Sequence, residues 1–191
     1  MKNSRLFPVA LMYVEGTGVE GATRMQKLVF IAQEETELPE AFEYEAGPYG
    51  PYSWELERAL NQLAEKDVVE INHITNEVGN EKTVYSLTDI GIRVGKKMVE
   101  SEDIKPFLDI AVDIKDEFGD RRMKDLLDYV YTKYPGLTTE TELDTDRLHD
   151  PDSRSQFLEP GSKHGETKFI GPGPKEGHNM RSSAKELFSV E

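Results

Sequence analysis

Two short runs, V-V-E-I-N-H-I at 68–74 and T-V-Y-S-L at 83–87, flank the polar stretch T-N-E-V-G-N-E-K, which carries a glycine near its tip. Strand-like segments around such a stretch read as an antiparallel hairpin. Almost everything around the hairpin is helical in pattern. The chain must therefore close a set of helices with a very small sheet.

Three helices are expected upstream. The first covers about 5–14, with Leu6, Val9, Ala10 and Tyr13 at helical spacing and Pro8 confined to its first turn. The stretch G-T-G-V-E-G ends it. A second helix covers about 23–35, with Met25, Leu28, Val29, Ile31 and Ala32 on an apolar stripe and Arg24, Lys27 and Gln33 mostly off it. A short F-E-Y-E alternation follows. The third helix, about 54–66, is capped by Ser53 and buries Leu56, Ala59, Leu60 and Leu63. After the hairpin, Thr88 caps a fourth helix with Ile90, Val94 and Met98 on one side.

Three helices followed by a two-stranded wing is the order of a winged helix, and L-T-D-I-G directly after the second strand strengthens that reading. Asp103 is expected to cap a fifth helix, with Pro106 in its first turn and Phe107, Ile110, Ala111 and Ile114 inward, broken at Phe118-Gly119. Met123, Leu126, Leu127, Val130 and Tyr131 mark a sixth, ended by Tyr134-Pro135-Gly136. This pair is expected to pack on the winged-helix unit or to pair between the subunits of a homodimer. The fold class is thus mainly α with a small β-hairpin wing: a winged-helix-like domain with two appended helices over 1–137. Residues 138–191 are expected to be a largely disordered tail, with S-A-K-E-L-F-S-V-E as a short terminal helix.

The net charge of −14, from 37 acids against 23 Lys and Arg, opposes phosphate backbones in ordinary salt. The same excess fits a halophile, in whose molar salt the Debye length falls to about 3 Å. Charge therefore argues only weakly against nucleic acid. With no cysteine, disulfides, thiolate zinc sites and cysteine nucleophiles are excluded together. The apolar run near the N-terminus is broken by Pro8 and ends at Glu15, unlike a signal peptide. No stretch reaches the roughly 18 apolar residues of a membrane span, so the chain reads as cytoplasmic and soluble.

Enzyme signals are poor. His73, His149, His164 and His178 are far apart, and His73 is expected to be structural. Phosphate-binding, nucleophile-elbow and dinucleotide motifs are missing, so no metal, cofactor or catalytic residue is expected. The G-P-Y-G piece matches the G-x-x-G of KH domains only formally, since no cation adjoins it. A DNA-binding reading uses Arg58, Asn61 and Gln62 on the third helix and Lys82 at the wing, against Glu55, Glu57 and Glu65.

The stretch Y-E-A-G-P-Y-G-P-Y-S-W (44–54) carries more rings than a linker needs. Tyr44 and Tyr52 are expected to turn inward and Tyr49 and Trp54 outward. Tyr49, Tyr52 and Trp54 are the candidate partner-binding set.

Taken together, R-M-Q-K-L-V-F-I-A-Q-E (24–34), F-E-Y-E-A-G-P-Y-G-P-Y-S-W-E-L (42–56) and L-L-D-Y-V-Y-T-K-Y-P (126–135) resemble the Panacea domain, the SocA-like antitoxin domain, over about residues 5–136. The resemblance implies a non-enzymatic interaction module that binds and neutralises a toxin protein encoded nearby. It implies no catalytic residues, and the stretch after Thr138 lies outside it. The alternative remains a winged-helix transcriptional regulator that binds DNA.

Overall fold

The computed structural model describes residues 3–16, 18–75, 79 and 81–137. The expected tail and terminal helix at 138–191, and most of the hairpin tip, lie outside the described residues.

The fold is mostly helical with small antiparallel sheets. A 3-10 turn (Asn3–Leu6) leads into α1 (Phe7–Tyr13), whose Pro8 sits in the first turn, where no backbone N–H is missed. Instead of one buried stripe, α1 has Phe7 through Met12 buried all round. The chain then turns through left-handed backbone at Glu15, Gly16 and Gly18. Lys115, far along the chain, packs over this turn and donates to the carbonyls of Gly18 (3.1 Å) and Val14 (3.4 Å).

The expectation for G-T-G-V-E-G needs correction. It ends the helix, but Val19–Glu20 is also a strand, β1. It pairs antiparallel with β5 (Glu81–Leu87), and β5 pairs with β4 (Val69–Thr75), giving a three-stranded sheet of order β1-β5-β4. Two residues are too few to show alternation, so this strand exists only through its pairing.

Helix α2 (Ala22–Glu35) is the centre of the fold. Every residue from Met25 to Ala32 is buried. The expected single stripe with Lys27 off it is therefore wrong. Lys27 is 1% exposed and Gln26 4%, because other segments cover the helix's polar side. Off the stripe, Arg24 donates to the carbonyls of Phe118, Gly119 and Arg121, closing the end of the helix that precedes them. The Gln33 amide bonds the backbone of Ala41 and Phe42.

Ser53 caps α3 (Trp54–Glu65) through its Oγ, which accepts from Leu56 N at 3.2 Å. Leu56, Leu60 and Leu63 form the buried face. Thr88 likewise caps α4 (Asp89–Val99), accepting from Gly91 N at 3.1 Å. A Cβ on Gly95 would lie 2.1 Å from the Tyr13 ring, so glycine is what lets α4 approach α1 this closely.

Asp103 does not cap α5 (Lys105–Ile114). The residue before the helix, Ile104, is already in helical conformation, and the Ser101 carbonyl accepts from Ile104 N and Lys105 N. A tight turn replaces the extended residue that a capping carboxylate needs. Five residues of π-helix (Lys115–Gly119) carry α5 on to the expected break at Phe118-Gly119, and α6 (Met123–Lys133) follows. Phe107, Leu108, Ala111, Ile114, Phe118, Leu126 and Val130 join the same core as α1 and α2. The apolar faces of the last two helices are thus buried within the chain.

Candidate docking cleft

The stretch expected to be an aromatic loop is a miniature hairpin. β2 (Glu45–Gly47) pairs antiparallel with β3 (Gly50–Tyr52), leaving Pro48-Tyr49 as its two-residue turn. Of F-E-Y-E, only Glu45 is in a strand. Gly50 has φ +79°, and a Cβ there would meet the Tyr131 ring at 2.9 Å, so both conformation and space demand glycine.

Two consecutive side chains of α2 hold the hairpin's exit. Gln26 Nε2 donates to Ser53 O (3.0 Å), while Gln26 Oε1 accepts from Ser53 N (2.9 Å). Lys27 Nζ donates to Pro51 O (2.7 Å). Burial drives the Lys27 amine down to about 7 from an ordinary 10.5, because the charged form is stripped of water. The Gln26 amide bonds Ser53 as a neighbouring strand would. Its two bonds and the cap on the same residue set the direction in which α3 leaves the hairpin.

This geometry opens a cleft of about 450 Å³ between the hairpin, the first turns of α2 and α3, and one face of the β4–β5 sheet. The sheet wall follows from the register: Ile71 lies opposite Tyr85 and His73 opposite Thr83, with Glu81 one step further along. His73 is exposed here, its Nδ1 3.4 Å from Thr83 Oγ1. At the mouth, the Tyr52 and Trp54 rings meet edge to face, with centroids 4.9 Å apart. Trp54 Nε1 donates to Glu45 (2.6 Å) and the Tyr52 hydroxyl to Glu57 (2.8 Å). Desolvation first, and the Glu57 carboxylate second, push the Tyr52 hydroxyl well up and that of Tyr85 to about 12.

The structure brings Tyr49, Tyr52, Trp54 and Asn61 together on this cleft. Trp54 is 43% exposed, as the outward reading requires. Tyr49, expected to face outward with it, is only half-buried, and so is Tyr52, expected inward. Tyr44 does turn toward the core, its ring against Phe30. Arg58 and Gln62 are exposed on α3, outside the cleft lining. Lys82 does not join them, because alternation along β5 puts it on the opposite sheet face, where it pairs with Glu20. Gln26, Lys27, Glu45, Glu57 and Tyr85 were not expected in the site. A polar Gln-Lys pair inside an otherwise apolar helical run is a local signal for the first two; Glu45, Glu57 and Tyr85 carry none.

Among the described residues, no group of three or more His, Asp or Glu is placed to hold a metal, and no helix is long and apolar enough to cross a membrane. Compared with known proteins, the chain matches no protein-family model and no curated sequence.

Proposed function

We propose that the chain is a non-enzymatic interaction module that docks a partner protein in this cleft. As the antitoxin resemblance implies, that partner is a toxin encoded nearby. The observation that carries the reading is Trp54: a large ring left 43% exposed at the rim of a preformed cleft, yet locked by the Tyr52 ring and the Glu45 carboxylate. Such a ring loses little freedom when a partner covers it, and tryptophan and tyrosine dominate the energetics of protein interfaces. With the β2–β3 miniature hairpin set aside as an insertion between α2 and α3, the order helix, strand, helix, helix, strand, strand with sheet order β1-β5-β4 supports a winged-helix scaffold beneath it. To test the reading, the full chain is purified with its partner from its host, and the partner's affinity is measured against wild type and Trp54→Ala. Truncation should cost about 2–4 kcal/mol, roughly 30-fold or more. An unchanged affinity in a folded variant contradicts the proposal.

A second reading, DNA binding through α3, draws on the side-by-side exposure of Arg58, Asn61 and Gln62. The ion pair that occupies Lys82 weighs against it. On this reading the chain retards DNA from upstream of its own gene at the host's salt, and Arg58→Ala weakens the shift. Absence of any shift under those conditions removes it.

A further inference from the structure

Resting on the docking reading above, we propose that the cleft receives a cationic side chain, arginine or lysine, from a basic segment of the partner protein. Its charged head would lie beside the Tyr52–Trp54 ring pair and the carboxylates of Glu45 and Glu57.

The lining decides the sign of the ligand. Glu45 spends one carboxylate oxygen on Trp54 Nε1 and Glu57 one on the Tyr52 hydroxyl. The second oxygen of each has no hydrogen-bond partner within the cleft among the described residues, and Glu81 adds a third carboxylate from the sheet wall. Among the described residues, no arginine lines the cleft. The one lysine among them, Lys27, is buried with its amine committed to the Pro51 carbonyl, and burial lowers that amine to about 7, so at neutral pH it carries its charge only about half the time and offsets only part of the three negative charges. An anionic group would meet three carboxylates. A purely apolar group would strip water from them without replacing its hydrogen bonds.

The rings favour the same ligand. Tyr52 and Trp54 stand at 72° to each other, so their surfaces form a corner. Aromatic faces attract cations, and more strongly where water is excluded. The ring donors are already turned onto Glu45 and Glu57, which leaves the ring faces outside their mutual contact and the spare carboxylate oxygens for the ligand. The volume, about 450 Å³, lies within the range of sites that enclose a ligand. Charge on the whole chain, −14, steers a basic segment toward it.

Trp54 is the sole tryptophan, so its emission reports on the cleft alone. The probes are end-blocked Gly-Arg-Gly, its lysine counterpart and its citrulline counterpart, titrated into the full chain at constant salt. The arginine and lysine peptides should change Trp54 emission saturably, with affinity at least about tenfold above that of citrulline, which keeps the shape and lacks the charge. Glu57→Gln should weaken the arginine peptide about tenfold. Glu81→Gln, which removes charge and breaks no side-chain hydrogen bond among the described residues, should weaken it about threefold. No saturable change up to about 10 mM, or an equal response to citrulline, overturns the inference. The purified partner separates this failure from that of the docking reading. If Trp54→Ala releases the partner but Glu57→Gln and Glu81→Gln together do not, docking stands and the cationic ligand does not. If neither change releases it, both fall.

Discussion

Gln26→Met should destabilise the protein by about 2–4 kcal/mol in chemical unfolding at constant salt, a large share of the roughly 5–15 kcal/mol that holds a domain of this size. Methionine matches the volume of glutamine, so packing is largely kept. What disappears is both hydrogen bonds to Ser53: its buried N–H loses its partner, whereas its C=O keeps the first bond of α3, from Glu57 N at 3.2 Å. The orphaned N–H costs about 1–3 kcal/mol, and the bond lost at the still-paired C=O about 1 kcal/mol more. Gln26→Glu adds a sharper comparison. Its carboxylate still accepts from Ser53 N but has no proton to donate to Ser53 O until the pH falls low enough to protonate it. That variant should therefore recover stability relative to wild type as the pH drops through the carboxyl range. A Gln26→Met loss below about 1 kcal/mol would mean that the clamp does not hold the hairpin.

Stability should rise with pH between about 7 and 10, and Lys27 should be the main reason. The amine holds its proton to about pH 10.5 in an ordinary environment but only to about 7 in the fold. Between those values the unfolded chain binds more protons than the native one, so raising the pH favours the native state. At about 1.4 kcal/mol per unit, the full shift corresponds to at most about 5 kcal/mol. Lys115, also depressed mainly by burial but partly held up by Glu15, adds to the rise. Tyrosines oppose it at the alkaline end. Tyr52 and Tyr85 are pushed up by desolvation and by Glu57, so their contribution is lost as the pH climbs from about 10 toward 12. The difference between wild type and Lys27→Met isolates the lysine, because Lys115, the tyrosines and the general acidic repulsion are common to both. The wild type should gain on the variant throughout the window. Parallel pH profiles would show that the Lys27 amine keeps its proton in the fold.

The parts of this structure that were legible in the sequence depend on neighbours in the chain. Ser53 and Thr88 sit one residue before their helices, and the β4–β5 hairpin shows its strands by local pattern and a nearby glycine. The parts that were not legible depend on distant partners. Val19–Glu20 becomes a strand only because Tyr85 and Val84 lie opposite. Lys82 looked free for a ligand because Glu20, its partner, is far away along the chain. Lys27 looked exposed because the hairpin and α6 that cover its side of α2 come later in the sequence. The rings of 44–54 announced a site, but their directions were set by Phe30, Glu45 and Glu57, which periodicity does not reveal.

The docking claim is tested most directly by hydrogen exchange of the full chain alone and in complex with the partner purified from its host. Binding should slow exchange in the hairpin at 45–52, in the first turns of α3 and in the cleft-facing strands β4 and β5, with the exposed surface of α4 unchanged. Protection confined to α4 and α5, with the Trp54 region exchanging as in the free chain, would contradict the account.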